Sequence, residues 1–181
     1  MNTLKERPEQ KFVSNEIISE KDVSSISELP DALRSYIKDL APYIDQTKKM
    51  HVFQYADGEV DVIHATMPVN QESAELEHKV YFIDVIGDQV MGYTIVAVAS
   101  EGFPYIGNTV TLSDNLVRSG LATRRLLAAG KYYTDRGESL RSGMGFEHES
   151  ARSIWERLVR DDIAVPTSRK GAHEFKFKET V

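Results

Sequence analysis

The chain has 181 residues, 41% of them hydrophobic and 28% charged, which is typical of a globular protein with one full hydrophobic core. Its net charge of −6 argues against broad, non-specific binding to nucleic acid, and the absence of cysteine excludes disulfides and thiolate metal sites. No apolar run approaches the roughly 20 residues that a membrane span needs, and the polar first residues do not resemble a secretory signal, so we expect a cytoplasmic protein.

The first predicted elements are an arm and a helix. Residues 1–24 lack steady periodicity and are expected to form an N-terminal arm, whereas residues 25–181 are expected to form a single domain. Within that domain, apolar residues recur at helical spacing from Leu29 to Ile44, which predicts an amphipathic helix. Pro42 is expected to kink this helix or to begin a new turn.

Strands are predicted to come next, followed by helices. Alternating runs around Asp57-Gly58 and longer apolar runs around Gly87-Asp88 predict two β-hairpins. The remaining predicted elements are a strand over 107–112, helices over 120–136 and about 149–160, a short strand between these helices, and a closing strand over 172–180. This order predicts an α+β fold around a mostly antiparallel sheet.

The stretch NLVRSGLATRRLLAAG, residues 115–130, joins a predicted strand to a helix through a polar turn that contains glycine. One interpretation is a plain strand-to-helix connection. The other is an anion site, because the N–H groups of residues 118–123 at a helix start would face the oxygens of a pyrophosphate. Gly120 would let the backbone approach closely, and Ala122 would avoid a steric block. Further contacts would come from the side chains of Thr123 and of Arg118 or Arg124.

The order of elements and this turn together resemble the GNAT superfamily of acetyl-CoA-dependent N-acyltransferases. In that family a strand leads into the pattern Arg/Gln-x-x-Gly-x-Gly/Ala at the start of a long helix. The corresponding residues here run from Val117 to Ala122; the glycine and the small last residue match, whereas Val117 departs from the pattern. A later family pattern, Asn-x-x-Ala-x-x-x-Tyr, falls on His148, Ala151 and Trp155, of which only the alanine matches.

The resemblance covers roughly residues 50–178 and implies a fold of the GNAT type, in which helices flank a mostly antiparallel central sheet. It also implies acetyl-CoA as cosubstrate, with the pyrophosphate over residues 117–123 and the pantetheine arm along 107–112. The implied cosubstrate-binding residues are Leu112, Val117, Arg118, Ser119, Gly120, Leu121, Ala122 and Thr123.

Candidates for acid–base chemistry are few. In the family a tyrosine often protonates the leaving thiolate of CoA; Trp155 at that position cannot do so and is expected to be a core aromatic residue. Asp84, within an apolar strand, and His148, near a helix start, are the candidate catalytic residues. As alternatives, Asp84 would face solvent at a sheet edge, and His148 would be an ordinary exposed side chain. The spacing of the histidines predicts no metal site.

The sequence therefore predicts an N-acetyltransferase whose acceptor amine, on a protein or on a small molecule, is not identified. A catalytically inactive protein that acts by binding another protein is the alternative, because Val117 and Trp155 both depart from the catalytic pattern. A transferase that acts as a toxin or phage-type effector is a third hypothesis, suggested by the compact size. Exposed edge strands also leave a homodimer open.

Overall fold

The computed structural model describes residues 13–70, 74–113, 119–146 and 149–179. Its main feature is a six-stranded antiparallel sheet in which each strand pairs with the next one along the chain. The six strands are β1 (Ser19–Val23), β2 (Met50–Tyr55), β3 (Gly58–Pro68), β4 (Leu76–Ile86), β5 (Gln89–Val98) and β6 (Pro104–Thr111).

A two-stranded sheet lies beyond the β6 edge. It consists of β7 (Ala164–Arg169) and β8 (Ala172–Phe177), which form an antiparallel hairpin. Arg141 lies between this hairpin and β6, and it bridges to Tyr105 in parallel and to Lys176 in antiparallel orientation. The backbone around Arg141 therefore joins the hairpin to the last strand of the large sheet.

The described residues form three α-helices, α1 (Asp31–Tyr36), α2 (Leu121–Thr134) and α3 (Glu149–Arg160). Successive residues of a strand point to opposite faces of a sheet, and here each face carries its own core. On one face, Val60 and Phe82 belong to a cluster with residues of α2, α3 and β8. On the other face, Ile63 and Ile83 belong to a cluster with Leu33 of α1. No helix in the described part of the chain is long and apolar enough to cross a bilayer.

The predicted fold class is wrong in its helices. We expected a GNAT-like sheet flanked by helices, but the described residues are mostly antiparallel strands with only three α-helices, which is not that layout. The helix predicted from Leu29 to Ile44 is replaced by the six-residue α1 and by short 3₁₀ turns before and after it. Pro30, directly before α1, and Pro42, within the second 3₁₀ turn, interrupt the helical hydrogen bonds because proline has no N–H. The expectation of a mostly antiparallel sheet is confirmed.

Most of the other predicted elements are confirmed. Both hairpins are present, and β4 and β5 turn at Gly87-Asp88 as expected. Helices α2 and α3 match the predicted helices to within two residues at each end. The arm predicted over residues 1–24 contains β1, which pairs with β2. The strand β7, which pairs with β8, was not predicted.

Candidate functional site

The first feature of the candidate site is the turn that begins α2. Gly120 is the N-cap residue and has a left-handed backbone with φ of 99°, a conformation that favours glycine. Glycine has no side chain to cap the helix, so the N–H groups of Leu121, Ala122 and Thr123 are not used by an N-cap side chain or by the first helical turn. Donors at this end of a helix favour an anion.

The second feature is the edge of β6. Val96 pairs with Ile106 and Ile95 pairs with Asn108, so Gly107 between them forms a bulge. The backbone at Arg141 bonds to β6 only before this bulge, through Ile106 N–H to Arg141 O at 2.9 Å and Arg141 N–H to Pro104 O at 3.0 Å. Among the described residues, no strand pairs with the outer edge of β6 beyond this point.

Arg157 brings a positive charge to the start of α2. Its Nη2 donates to the Thr123 hydroxyl at 2.6 Å, and the side chain comes from the last turn of α3. The sequence analysis did not select Arg157, because a basic residue near a helix C-terminus is usually explained by the helix dipole. The contact between α2 and α3 could not be deduced from local spacing.

The arm crosses the start of α2. The Val13 N–H donates to Ser119 O at 3.2 Å, and Val13 Cγ2 lies 3.4 Å from the position that a Cβ on Gly120 would take. The Ser14 carbonyl accepts from Arg124 Nη1 at 3.4 Å. Residues 13 and 14 therefore lie against the turn at which the sequence predicts anion binding.

Arg124 is committed to the protein interior and does not reach the predicted phosphate position. Its side chain is fully buried and binds both carboxylate oxygens of Asp84, with Nε 3.2 Å from Oδ2 and Nη2 bonded to Oδ1. Its Nη1 donates to Asp57 Oδ1 at 2.6 Å, and the guanidinium lies 4.9 Å from the centre of the Tyr55 ring. Both hydrogen bonding and charge thus hold Arg124 beneath α2.

Arg125 joins the same buried cluster. Its Nη2 donates to Val110 O and to the Thr111 hydroxyl, each at 3.0 Å, and its Nη1 lies 3.6 Å from Asp84 Oδ2. A Cβ on Gly92 would lie 2.8 Å from this Nη1, so the glycine makes room for the guanidinium. Burial lowers the pKa of Arg125 to about 10, which still leaves it charged at neutral pH.

Asp84, a predicted catalytic residue, is the shared partner of these two arginines. Burial raises the pKa of its carboxyl, and the hydrogen bond and charge of Arg124 act in the opposite direction. The side chain has no exposed surface. A carboxylate enclosed in this way has no surface on which to meet an acceptor amine, and we assign it the role of counter-ion to Arg124 and Arg125.

The structure places the other predicted site residues as follows. Ser119, Leu121 and Thr123 are buried, and Leu112 is exposed at the end of β6, where its N–H bonds to Met91 O. Trp155 is a core residue, as expected, and stacks on Phe175. Three predicted site residues lie outside the described residues: Val117, Arg118 and His148.

No protein-family model matches this chain, and no curated protein matches it by sequence. The described residues also contain no group of three or more histidine, aspartate or glutamate side chains arranged to hold a metal ion.

Proposed function

We propose that the protein is an acyl-CoA-dependent N-acyltransferase that transfers acetyl from acetyl-CoA to an amine. The observation that carries the proposal is the edge of β6 beyond Gly107, with which no described strand pairs, beside the start of α2, whose Arg125 bonds to Val110 and Thr111 of that strand. This arrangement offers one extended surface for a long ligand with an anionic end. CoA is such a ligand, because its pantetheine arm is narrow and its pyrophosphate carries the charge.

The pyrophosphate would bind at the first turn of α2. The N–H groups of Leu121, Ala122 and Thr123 supply donors, and the helix dipole favours negative charge there. Gly120 has no Cβ, so a phosphate can approach the backbone there when it displaces Val13, whose Cγ2 lies 3.4 Å from the Cβ position. Arg157, already in contact with Thr123, supplies a guanidinium that can pair with phosphate oxygens.

The pantetheine arm would lie along residues 107–112. Its amide groups match the outward-facing N–H and C=O groups of a strand edge with which no described strand pairs, in the way that a peptide adds a strand to a sheet. Gly107, Asn108 and Thr109 are exposed, so this edge is accessible. The thioester would then lie near the bulge at Gly107, where the chain around Arg141 parts from β6.

The chemistry is direct attack by the acceptor amine. The amine nitrogen forms a bond to the thioester carbonyl carbon, the C–S bond breaks, and CoA leaves as a thiolate. The amine loses one proton and the thiolate gains one, so the products are an amide and CoA. Because Asp84 is enclosed, we assign the rate enhancement to positioning of the two reactants rather than to a buried base.

Binding of CoA without turnover is the second candidate function. The enclosure of Asp84 and the core position of Trp155 favour it, because neither side chain can exchange a proton with a reactant. The partner would then be a protein rather than an acceptor amine. Since acyl-CoA is an intracellular metabolite, we also propose a cytoplasmic location. The net charge of −6 argues against nucleic acid as a partner.

The test of binding is a thermal-shift titration with acetyl-CoA, CoA and ATP. We expect both CoA species to raise the melting temperature, and Gly120→Glu to abolish this shift by placing a carboxylate at the phosphate position. Gly137→Glu is the matched control, because Gly137 also has a positive φ, lies near the far end of α2 and has open space around it. Absence of a shift at millimolar acetyl-CoA would overturn the proposal.

Turnover is measured separately, by the appearance of free thiol with panels of amines and peptides. The chain has no cysteine, so a thiol reagent reports released CoA with no background from the protein. Arg157→Gln is expected to weaken acetyl-CoA binding roughly tenfold, whereas Arg160→Gln on the same exposed helix end leaves it unchanged. Binding without thiol release from any acceptor would favour the binding protein over the enzyme.

A further inference from the structure

A cavity of about 390 Å³ opens at the C-terminal end of α2. Gly120 and Tyr132 are twelve residues apart on this helix, a rise of about 18 Å, so the cavity is separate from the proposed cosubstrate site. Its volume falls within the range of small-molecule sites, roughly 300–1,000 Å³. The residues that line it include His64, His78, Val80, Val98, Tyr132 and Arg136.

Three side chains are hydrogen-bonded to one another along the cavity wall. His64 lies between the other two, with Nε2 2.7 Å from the Tyr132 hydroxyl and Nδ1 3.1 Å from His78 Nε2. The two imidazole rings stack with centres 5.3 Å apart. Burial and the nearby positive groups lower the pKa of His64 to about 4, so its ring is neutral at neutral pH and acts through hydrogen bonds.

Cations outnumber anions around the cavity. Lys48, Lys49 and Arg136 line it, against Asp22 and Glu138. This excess is notable in a chain whose net charge is −6.

One of the two anions that line the cavity already has partners. Asp22 accepts a hydrogen bond from His51 Nδ1 at 2.9 Å and lies 3.9 Å from Lys49. Lys48 makes no ion pair within the described part of the chain.

Arg136 is held in place at the mouth of the cavity. Its guanidinium lies 3.5 Å from the centre of the Tyr132 ring, and its Nη1 donates to Tyr132 O at 2.8 Å. This leaves the other nitrogens of a fixed, planar group available to an oxyanion. The turn that carries Lys48 is held against β3 by the hydrogen bond from Asp45 N–H to His64 O at 2.9 Å.

We propose that this cavity binds the phosphate group of a small molecule whose remaining part is flat and apolar. Lys48 and Arg136 bind the phosphate oxygens. The stacked His64 and His78 rings with Val80 and Val98 contact the apolar part. The inference does not depend on the proposed acyltransferase activity, because it concerns the opposite end of α2.

The test uses phenyl phosphate as the probe and phenol as its uncharged counterpart, in a buffer without phosphate. Binding is followed by the NMR signals of the histidine rings, of which the chain has five. We expect phenyl phosphate to shift the His64 and His78 signals and phenol to shift neither. Lys48→Ala and Arg136→Gln are each expected to weaken binding roughly tenfold, since each removes a charged hydrogen bond.

Two variants serve as controls. Lys38→Ala makes the same change of charge at an exposed lysine outside the cavity and should leave the affinity unchanged. Gly120→Glu, which disrupts the proposed cosubstrate site, should also leave it unchanged, so that failure of one proposal is distinguished from failure of the other. The inference is overturned if phenyl phosphate shifts neither ring, if phenol binds as tightly, or if the Lys48 and Arg136 variants bind as tightly as the native chain.

Discussion

Two aspartates of the sheet are fully buried, and their partners decide what each contributes to stability. Asp84 has guanidinium groups of Arg124 and Arg125 beside it, so its charge is compensated within the core. Asp61 is equally buried, but no described arginine lies beside it; the group that acts on it most strongly is another carboxylate, Glu59, whose charge and hydrogen bond raise the pKa of Asp61. It lies between Val52 and Ile83 on the neighbouring strands. A carboxyl in such surroundings costs free energy whenever it is ionised.

We predict that the native chain loses stability as the pH rises toward 8, and that Asp61→Asn prevents this loss. Burial, followed by the charge of Glu59, raises the pKa of Asp61 to about 8. Between about pH 4 and pH 8 the folded state therefore holds a proton that the unfolded chain releases, and the free energy of unfolding falls as the pH rises. Asparagine cannot ionise, so the variant should be more stable than the native chain at pH 8 by about 1–3 kcal/mol.

This prediction is measured by urea unfolding at pH 5 and pH 8, with the fluorescence of Trp155 as the signal. Trp155 is the only tryptophan in the sequence and is buried, so its emission reports unfolding. Asp88→Asn, in the exposed turn between β4 and β5, is the matched control and should follow the native pH dependence. An unchanged pH dependence in Asp61→Asn would contradict the assignment.

At the scale of elements, the arm is predicted to compete with the proposed cosubstrate. Val13 bonds to Ser119 O and lies against Gly120, where the pyrophosphate is expected. Removing residues 1–14 should therefore strengthen the binding of acetyl-CoA by about three- to tenfold, because one hydrogen bond and one packing contact no longer have to be displaced. Isothermal titration calorimetry on the shortened and full chains measures the change. Weaker binding by the shortened chain would instead make the arm a part of the site.

The elements that could be predicted are those fixed by local chemistry. Gly87-Asp88 marks a tight turn between two apolar runs, and the β4–β5 hairpin forms around it. The spacing from Leu29 to Ile44 is correct for a helix, but periodicity does not show that Pro30 and Pro42 limit the helix to α1. β7 was missed because Pro166 within it argues against a strand.

The candidate site was predictable only in its backbone. The glycine at the start of α2 was correctly placed, because a turn into a helix has a recognisable sequence. The side chains were not predictable, because their partners are distant in the chain. Arg124 looks like a phosphate ligand by its position, yet its partner is Asp84, forty residues away on β4. Arg157 reaches Thr123 from another helix, thirty-four residues away.

At the scale of the whole molecule, α2 packs against both sheets, and its contact with β8 depends on a glycine. Gly130 lies on the buried side of α2, opposite the ring of Phe177. A Cβ at this position would lie 2.3 Å from Phe177 Cε1, far closer than van der Waals contact allows. Phe177 is itself held edge-on against Trp155 of α3, with ring centres 5.3 Å apart. Gly130 of α2, Phe177 of β8 and Trp155 of α3 therefore pack together at this point.

We predict that Gly130→Ala destabilises the protein although alanine favours helices. The gain in helix propensity is about 1 kcal/mol, and overpacking of a core costs about 1–3 kcal/mol, so the expected net loss is about 1 kcal/mol. In a chain that already carries Phe177→Leu, Gly130→Ala should instead stabilise the protein, because the shorter side chain leaves room for the new methyl group. Urea unfolding of the two single variants and the double variant measures this coupling. Gly145→Ala, at a glycine with open space around it, is the control, and an equal effect of Gly130→Ala with and without Phe177 would show that α2 and β8 are not in close contact.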